Sequence, residues 1–259
     1  MTLVIVGVGA MGSALAARLV ERGLDVLGVD PAVAASGPAT TADGIAVVRD
    51  LAAAAKALPE PPSDLLVFVR MADQVHEVLA EAARHRRFDG VPAAVLSTLA
   101  PGDARAVLER FGGERPVAEA PVSGGVSGAR AGTLTVMAAG PLGRWVEAAA
   151  ARVHTFAEPG QPAAAKLLNN ALGAANAHAL AAALAQADGF GIAPAEMLEV
   201  IRGSSGGGWM AEHFEDFPVD LLWKDFTLLH PEYPVRFPPF SIDTDLLGAI
   251  ASARARLAH

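Results

Sequence analysis

The first half of the sequence alternates short apolar runs with segments that have the periodicity of amphipathic helices. The apolar runs read TLVIVGV, LDVLGVD, GIAVVRD, SDLLVFVR and VPAAVLST. They are rich in Val, Ile and Leu without polar alternation, which is typical of parallel strands buried on both faces of a sheet. The segments between them, such as Met11 to Arg22 and Asp73 to Arg86, have the pattern of covering helices. We therefore expect a doubly wound α/β fold.

A helical region is expected after this alternating pattern. The α/β pattern continues through ERPVAEAPVSGG and GTLTVMAAG to about His154, and the Gly and Pro residues of TFAEPGQP then indicate a linker. From Ala163 onward the pattern is helical, and residues 167–187 carry no charged side chain. The sequence therefore predicts an α/β domain over residues 1–158 and an all-α domain over residues 159–259.

Charge and composition argue against several classes of function. The formal net charge of −8 is the wrong sign for a nucleic-acid partner. The absence of cysteine excludes disulfides and thiolate chemistry and suits a cytoplasmic protein. The seven histidines lack metal-site spacing, so no metal is expected. The uncharged run contains asparagines, a histidine and a glutamine that lipid would leave without partners, so we expect no membrane partner.

Three glycines form a turn that is suited to binding a dinucleotide. Gly7, Gly9 and Gly12 have the spacing G-x-G-x-x-G, directly after the first apolar run and before a helix. This spacing allows a tight turn, close approach of a pyrophosphate, and close packing of helix on strand. Asp30 ends the second run, where an acid accepts hydrogen bonds from a ribose and repels a 2′-phosphate. These residues predict a Rossmann-type site that prefers NAD, although Arg70 also permits NADP.

A second glycine-rich loop spans residues 120–134 and reads APVSGGVSGARAGTL. Its small residues expose backbone N–H groups, and Ser123 adds a hydroxyl, so the carboxylate or phosphate of a substrate could bind there. A purely structural loop fits this composition equally well.

Lys166 begins a stripe of small and polar residues on the expected helix. Asn169 and Asn170 lie three and four residues beyond it, and Gly173 and Ala177 follow on the same face. Only three of the 20 basic residues are lysines. Because lysine can release its proton and arginine cannot, a lysine at this position indicates proton transfer. Burial or a neighbouring cation would lower its pKa and make it a usable acid or base. A lysine that extends from the helix end into solvent is the alternative.

Together these motifs resemble the β-hydroxyacid dehydrogenase family, over most of the chain. The matching segments are GVGAMGSALAARLVERGLDVLGVD, STLAP, APVSGGVSGARAGTL, GQPAAAKLLNN and WKDF. The resemblance implies an NAD(P)-dependent oxidoreductase that acts on a small carboxylate with a β-hydroxyl or β-aldehyde group. It also implies a homodimer or tetramer, built through the helical domain.

The resemblance also assigns roles to individual residues. Lys166 would be the catalytic acid or base, and Asn170 would hold the substrate or the lysine in place. The substrate-binding residues would be Ser123, Gly124, Gly125, Thr98, Asp225 and Trp209. The cofactor-binding residues would be Gly7, Gly9, Ala10, Met11, Gly12, Asp30, Arg70, Met71, Thr98 and Lys224. Trp209 ends GSSGGGW, which lacks the lysine of a P-loop and is interpreted as a connection that brings this ring near the pocket.

Some segments depart from the family pattern. Pro162 replaces a usual glycine, Arg70 and Met71 replace smaller residues or proline, and the stretch from His230 to Ser241 contains four prolines that cannot sustain a helix. We expect this stretch to join a subunit contact or to close over the cofactor cleft. Two alternative functions stay open. One is an imine reductase-like enzyme of the same fold, which Lys166 disfavours. The other is a non-catalytic cofactor-binding scaffold, which would have no need of Lys166, Asn170 and Ser123.

Overall fold

The computed structural model describes residues 2–32, 39–215, 217 and 219–229. Its main element is a seven-stranded sheet with the strand order β3-β4-β2-β1-β5-β6-β7. The strands are β1 (Thr2–Val6), β2 (Asp25–Val29), β3 (Ala39–Thr40), β4 (Ala46–Val48), β5 (Leu65–Val67), β6 (Ala93–Val95) and β7 (Val117–Glu119). All described pairs in this sheet are parallel except β3 with β4. The expected doubly wound fold is confirmed.

The strand order creates a crevice at the centre of the sheet. From β1 the chain moves outward through β2 to β4, and then returns to the other side of β1 at β5. Connections therefore leave β1 and β5 in opposite directions at the carboxyl ends of these strands. Ligands of open α/β sheets bind at such a switch point.

Helices cover both faces of the sheet, which explains the unbroken apolar runs. The helices of this region are α1 (Ala10–Glu21), α2 (Leu51–Ala57), α3 (Ala72–Ala82) and α4 (Pro101–Phe111). On one face Leu3 and Ile5 of β1 pack in a core cluster with Leu15 of α1. On the other face Val4 and Val6 belong to a cluster that includes residues of α2, α3 and α4. Because alternate residues of β1 enter different cores, no position of its interior is left for a polar side chain.

A separate small sheet follows β7, and the sequence pattern did not distinguish it from the main sheet. It has the order β10-β9-β8, and its elements are β8 (Val122–Ser123), α5 (Gly125–Ala131), β9 (Leu134–Ala138), α6 (Trp145–Ala149) and β10 (Ala150–Thr155). Gly124 and Gly125, with φ of 131° and 65°, turn the chain after β8, so that β9 returns antiparallel to it. A bridge between Glu119 and Ala139 joins the two sheets.

The remaining described chain is helical, as expected. It forms α7 (Gln161–Ala187), α8 (Pro194–Arg202), α9 (Trp209–Glu212) and α10 (Val219–Leu229). Pro162 lies in the first turn of α7, where its missing N–H costs no hydrogen bond. Helix α10 packs along α7. Within the described residues, every helix is too short or too polar to cross a membrane. The proline-rich stretch from His230 to Ser241 lies outside the described residues.

Candidate active site

The loops that follow four parallel strands contact one another at the carboxyl edge of the main sheet. Gly7, after β1, donates its N–H to the oxygen of Val29 at the end of β2, over 2.9 Å. The backbone N–H of Val69, after β5, donates to the Ser97 hydroxyl after β6, over 3.0 Å. Ser97 is buried, and its hydrogen bond to the β5 loop could not be read from the segment STLAP, in which it is the first residue. It holds the β5 loop beside half-buried Thr98.

The three glycines of the triplet differ in what a Cβ atom would meet at each position. Gly7 has φ of 94°, and a Cβ there would overlap the carbonyl of Phe68. A Cβ on Gly12 would overlap the carbonyl of Gly7. Gly9 has an ordinary φ of −65°, and a Cβ there would meet no atom within 4 Å. The space in front of Gly9 is therefore open, as close approach of a ligand to its backbone requires.

The amino end of α1 faces this open space. The first hydrogen bond of the helix runs from the N–H of Ser13 to the oxygen of Gly9, over 2.8 Å. The N–H groups of Ala10, Met11 and Gly12 precede it and have no acceptor within the helix. Together with the helix dipole they suit the pyrophosphate of a dinucleotide. The cradle therefore fits NAD or NADP.

Asp30 is held against the glycine turn by two backbone groups. Its Oδ2 accepts a hydrogen bond from the N–H of Val8 at 3.1 Å, and its Oδ1 accepts one from the N–H of Ala32 at 2.9 Å. Each carboxylate oxygen can accept more than one hydrogen bond, so these contacts leave capacity for a ribose hydroxyl. They also orient the side chain, because rotation would break both.

Arg70 and Met71 lie at the start of α3, and both are exposed. The side-chain oxygen of Gln74 accepts hydrogen bonds from the N–H groups of both residues, each at 3.0 Å. Gln74 thereby caps α3 and fixes the backbone of the β5 loop, a contact that the sequence analysis missed. The Arg70 side chain remains accessible beside the cleft.

The second glycine-rich loop joins the small sheet to α5. Ser123 is half-buried at the end of β8 and pairs with Thr135 of β9. Gly124 and Gly125 both have positive φ, a conformation that side-chain-bearing residues rarely adopt. The glycines thus fix the backbone path next to the Ser123 hydroxyl.

A cluster of polar side chains joins α7 to α10. Lys166 is only 8% exposed on α7. Asn170, one turn later, donates from Nδ2 to Oδ2 of Asp225 over 2.7 Å. Asp225 is buried on α10, and its Oδ1 lies 3.1 Å from Nζ of Lys224, outside hydrogen-bond geometry. We call Lys166, Asn170, Lys224 and Asp225 the lysine cluster.

Burial lowers the pKa of Lys166 below the usual lysine range. The negative charge of Asp225 opposes this shift, and the positive charge of Lys224 adds to it. Desolvation is the largest of these causes, since taking an ammonium group out of water favours its neutral form. Lys166 is therefore better able to exchange a proton near neutral pH than a surface lysine.

Asn169 of the expected polar stripe and Trp209 of the expected substrate-binding residues are not members of the lysine cluster. Asn169 is exposed and donates to Oδ1 of Asn170 over 3.2 Å, so it borders the cluster without entering it. Trp209 is 51% exposed, and its ring packs on His213 with 4.3 Å between centroids. Among the described residues no hydrogen bond joins Trp209 to Lys166.

Glu119 is a buried polar residue that the sequence analysis missed. It is 2% exposed at the end of β7, and its carboxylate accepts hydrogen bonds from the N–H groups of Gly160 and Ala163. The only signal in the sequence is an acidic residue at the end of the apolar run RPVAE. In the part of the chain that the structure describes, no group of three or more His, Asp and Glu side chains is arranged to hold a metal ion.

Comparison with known proteins places these features in a family. Residues 2–157 match the family model described as the NAD binding domain of 6-phosphogluconate dehydrogenase. Residues 160–232 match the model described as NAD-binding of NADP-dependent 3-hydroxyisobutyrate dehydrogenase. L-threonate dehydrogenase of Escherichia coli K12 is 34% identical over 96% of this chain and 88% of its own length. A probable 3-hydroxyisobutyrate dehydrogenase of Mycobacterium bovis is 32% identical over 80% of this chain and 71% of its own length.

Solved structures share the fold. The crystal structure of 3-hydroxyisobutyrate dehydrogenase from Salmonella typhimurium superposes with a TM-score of 0.74 and 26% identity, and covers 99% of this chain and 95% of that one. A reductive aminase from Aspergillus terreus has a TM-score of 0.61 at 17% identity, over 98% and 85% of the two chains, which shows a common fold alone. The chain belongs to the family of NAD(P)-dependent β-hydroxyacid dehydrogenases.

Proposed function

We propose that the protein interconverts a small β-hydroxy carboxylate and its semialdehyde, with Lys166 as the general acid or base. The observation that carries this proposal is the burial of Lys166 beside Asn170 and Asp225, which lowers the pKa of its amine. The names of the relatives support the substrate class, since L-threonate and 3-hydroxyisobutyrate are both small hydroxy carboxylates.

The residues of this chain would divide the reaction between them. When bound, the nicotinamide supplies or accepts the hydride at the substrate carbon. In reduction, protonated Lys166 donates a proton to the carbonyl oxygen; in oxidation, neutral Lys166 accepts the hydroxyl proton. The lowered pKa would make it easier for Lys166 to release and accept a proton at working pH than it is for a surface lysine.

Neighbouring groups would orient the lysine and the substrate. Asn170 is held by Asp225, so its amide cannot rotate freely beside Lys166. The loop of Ser123, Gly124 and Gly125 would bind the substrate carboxylate through its hydroxyl and backbone N–H groups. Thr98 and Asp225 would line the remainder of the pocket. Trp209 would border the pocket from α9, which packs against α7.

The cofactor site supports NAD as the preferred dinucleotide. Its pyrophosphate would lie on the N–H groups of Ala10, Met11 and Gly12. The carboxylate of Asp30 would accept from the adenosine ribose and repel the extra phosphate of NADP. Arg70, Met71 and Lys224 would contact the cofactor from the other side of the cleft, and the charge of Arg70 still permits NADP.

We further propose the division into a dinucleotide-binding domain at residues 1–158 and a helical substrate and dimerisation domain at residues 159–259. The protein would act in the cytoplasm as a homodimer or tetramer. Two exposed leucines on α7, Leu168 and Leu172, support assembly through this helix, because a second subunit would remove them from water.

A turnover screen tests the proposed reaction. Short hydroxy acids and semialdehydes are offered with NAD(H) and NADP(H), and the best substrate is repeated with Lys166→Ala. Loss of a positioned acid or base should lower kcat by about two to four orders of magnitude. The affinity for NADH, measured by fluorescence titration, should stay within about threefold, because Lys166 acts on the substrate oxygen.

Lys56→Ala is the matched control, since Lys56 is exposed on α2 and should be replaced without loss. A Lys166→Ala enzyme that keeps more than about a tenth of wild-type kcat would refute the role of Lys166. A cyclic imine in the same screen tests the imine reductase alternative, and absence of any turnover with all substrates would favour the scaffold.

A further inference from the structure

Glu119 joins three parts of the molecule at one residue. Its backbone belongs to β7 of the main sheet. Its N–H and C=O both pair with Ala139, just after β9 of the small sheet, over 2.9 Å each. Its side chain reaches α7, where Oε2 accepts from the N–H of Gly160 at 2.6 Å and Oε1 accepts from the N–H of Ala163 at 2.7 Å.

The hydrogen bonds of Glu119 replace a cap that α7 cannot provide for itself. Gly160, the residue before the helix, has φ of 86°, and a Cβ there would lie 2.8 Å from Arg105 and 2.9 Å from the oxygen of Pro101. No side chain that could cap the helix fits at this position. The acceptor comes instead from Glu119, 41 residues earlier in the chain. The amino end of α7 is therefore tied to the sheet.

Both ends of this tie are close in sequence to the proposed catalytic groups. Lys166 lies three residues beyond Ala163, on the next turn of α7, and Ser123 lies four residues beyond Glu119. Any shift of α7 along its axis would therefore change the separation of Lys166 from the Ser123 loop. The carboxylate opposes such a shift, because both of its short hydrogen bonds would lengthen.

We propose that Glu119 is a positioning residue, which holds the first turn of α7 so that Lys166 stands at a set distance from the Ser123 loop. The arrangement is costly for a purely structural contact. Burial raises the pKa of Glu119, against the two backbone hydrogen bonds and the charge of Arg105, which lower it. A buried carboxylate thus takes the place of the exposed side chain that caps most helices, although burial disfavours its charged form.

The experiment compares Glu119→Gln and Glu119→Asp with Asp64→Asn. Glutamine keeps the shape, but its NH2 group opposes one of the two N–H donors. Aspartate keeps the charge and is one methylene shorter, so it cannot reach both donors. Asp64 is a matched control, because it is also a buried carboxylate with a raised pKa. It directly precedes β5, so it lies at the amino ends of the strands, whereas Glu119 lies at the carboxyl end of β7.

The first measurement needs no substrate. The chain has only three lysines, at 56, 166 and 224, so labelling with 13Cε-lysine gives three NMR signals. The signal that is lost in Lys166→Met is that of Lys166. If Glu119 positions α7, its replacement lets water reach Lys166 and should raise the pKa of that lysine by about half a unit or more. Asp64→Asn should leave this pKa within about 0.2 units, whatever its effect on unfolding.

The second measurement is kinetic and rests on the proposed function. Below the unfolding temperature of every variant, the Glu119 variants should lower kcat by about tenfold to a hundredfold, as misplacement of a catalytic group does. The affinity for NADH and the kcat of Asp64→Asn should change less than about threefold. If Glu119→Gln does not fold, Glu119→Asp provides the same comparison.

The two measurements separate the two proposals. In one outcome, the Glu119 variants unfold more easily and still change the pKa of Lys166 and kcat no more than Asp64→Asn does. That result would show that Glu119 is only structural. A changed pKa of Lys166 in an enzyme whose Lys166→Ala variant is fully active would support positioning by Glu119 and refute catalysis by Lys166.

Discussion

Lys166 is a basic side chain at a position where burial disfavours its charged form. It is buried, its neighbour Lys224 has the same charge, and only Asp225 opposes these effects. A methionine of similar length would fill the same space without a charge to desolvate. The retention of a lysine here agrees with a role in proton transfer rather than in packing.

Lys166→Met should therefore be at least as stable as the wild type. The pKa of Lys166 is lower in the folded protein than in the unfolded chain, so the folded state binds fewer protons between these two pKa values. The wild-type free energy of unfolding then rises with pH, from the lowered folded pKa to the unfolded value of about 10.4. Below that interval the full cost of the buried charge is present.

Urea unfolding at several pH values between neutrality and pH 10 measures this effect. At neutral pH the free energy of unfolding of Lys166→Met should exceed that of the wild type by on the order of 1 kcal/mol. The free energy of unfolding of the variant should also rise less with pH, because the contribution of Lys166 to that rise is absent. Lys56→Met controls for the loss of an exposed lysine. A Lys166→Met protein that is less stable at neutral pH by a similar amount would mean that the charge is well compensated.

Asp30 accepts a hydrogen bond from the glycine turn and is also the residue expected to favour NAD over NADP. Asp30→Ala removes the acceptor for a ribose and the repulsion of a 2′-phosphate. The substitution should weaken NADH binding by about tenfold and should bring the affinities for NADH and NADPH closer together. Fluorescence titration with both dinucleotides measures this, and Asp25→Ala, at the exposed other end of β2, is the control. Equal affinities before and after the change would place the ribose elsewhere.

The turn from β1 to α1 is the element that we propose binds the pyrophosphate of the cofactor. Gly7 and Gly12 are required by the fold, because a Cβ at either position would overlap backbone. Gly9 is different, because a Cβ there enters open space. A glycine at this position agrees with the proposed close approach of a cofactor to the backbone.

Gly9→Ala should accordingly affect binding and not folding. The free energy of unfolding should change by about 0.5 kcal/mol or less, as for a surface site, while the Kd for NADH rises by about tenfold or more. Gly113→Ala is matched, since a Cβ at Gly113 also meets open space, between α4 and β7. If Gly9→Ala and Gly113→Ala bind NADH equally well, the pyrophosphate does not lie over Gly9.

The molecule as a whole has an apolar surface on its longest helix. Residues 167–187 of α7 carry no charge, and Leu168 and Leu172 are 49% and 48% exposed. A single copy of the described chain therefore leaves large apolar side chains in water at neighbouring positions of one helix. A symmetric partner is the most frequent solution to such a surface.

Light scattering tests this assembly. The wild-type protein should have at least twice the monomer mass of 26.5 kDa at micromolar concentration. Leu168→Glu with Leu172→Glu should shift it toward the monomer, because two charges would have to be buried in the contact. Val20→Glu, at an exposed apolar position of α1, should not. A wild-type protein that is monomeric would contradict assembly through α7.

Features that depend on neighbours in the chain could be predicted from the sequence. The doubly wound sheet follows from runs that are apolar on both faces, and the glycine turn follows from a strand, three glycines and a helix in direct succession. The helix from about Ala163 onward follows from the periodicity of that stretch, and the proximity of Asn170 to Lys166 follows from helical spacing. In each case the signal lies in residues only a few positions apart, even where, as in the sheet, the strands that it predicts pair with distant segments.

Contacts between distant segments required the folded chain. The hydrogen bond from Asn170 to Asp225 spans 55 residues, that from Gly160 to Glu119 spans 41, and that from Val8 to Asp30 spans 22. The bridge from Glu119 to Ala139, which joins the small second sheet to the main sheet, likewise depends on the folded chain. The pKa of Lys166 belongs to this group as well, because desolvation depends on every element packed around the amine, and a linear pattern does not specify which elements those are.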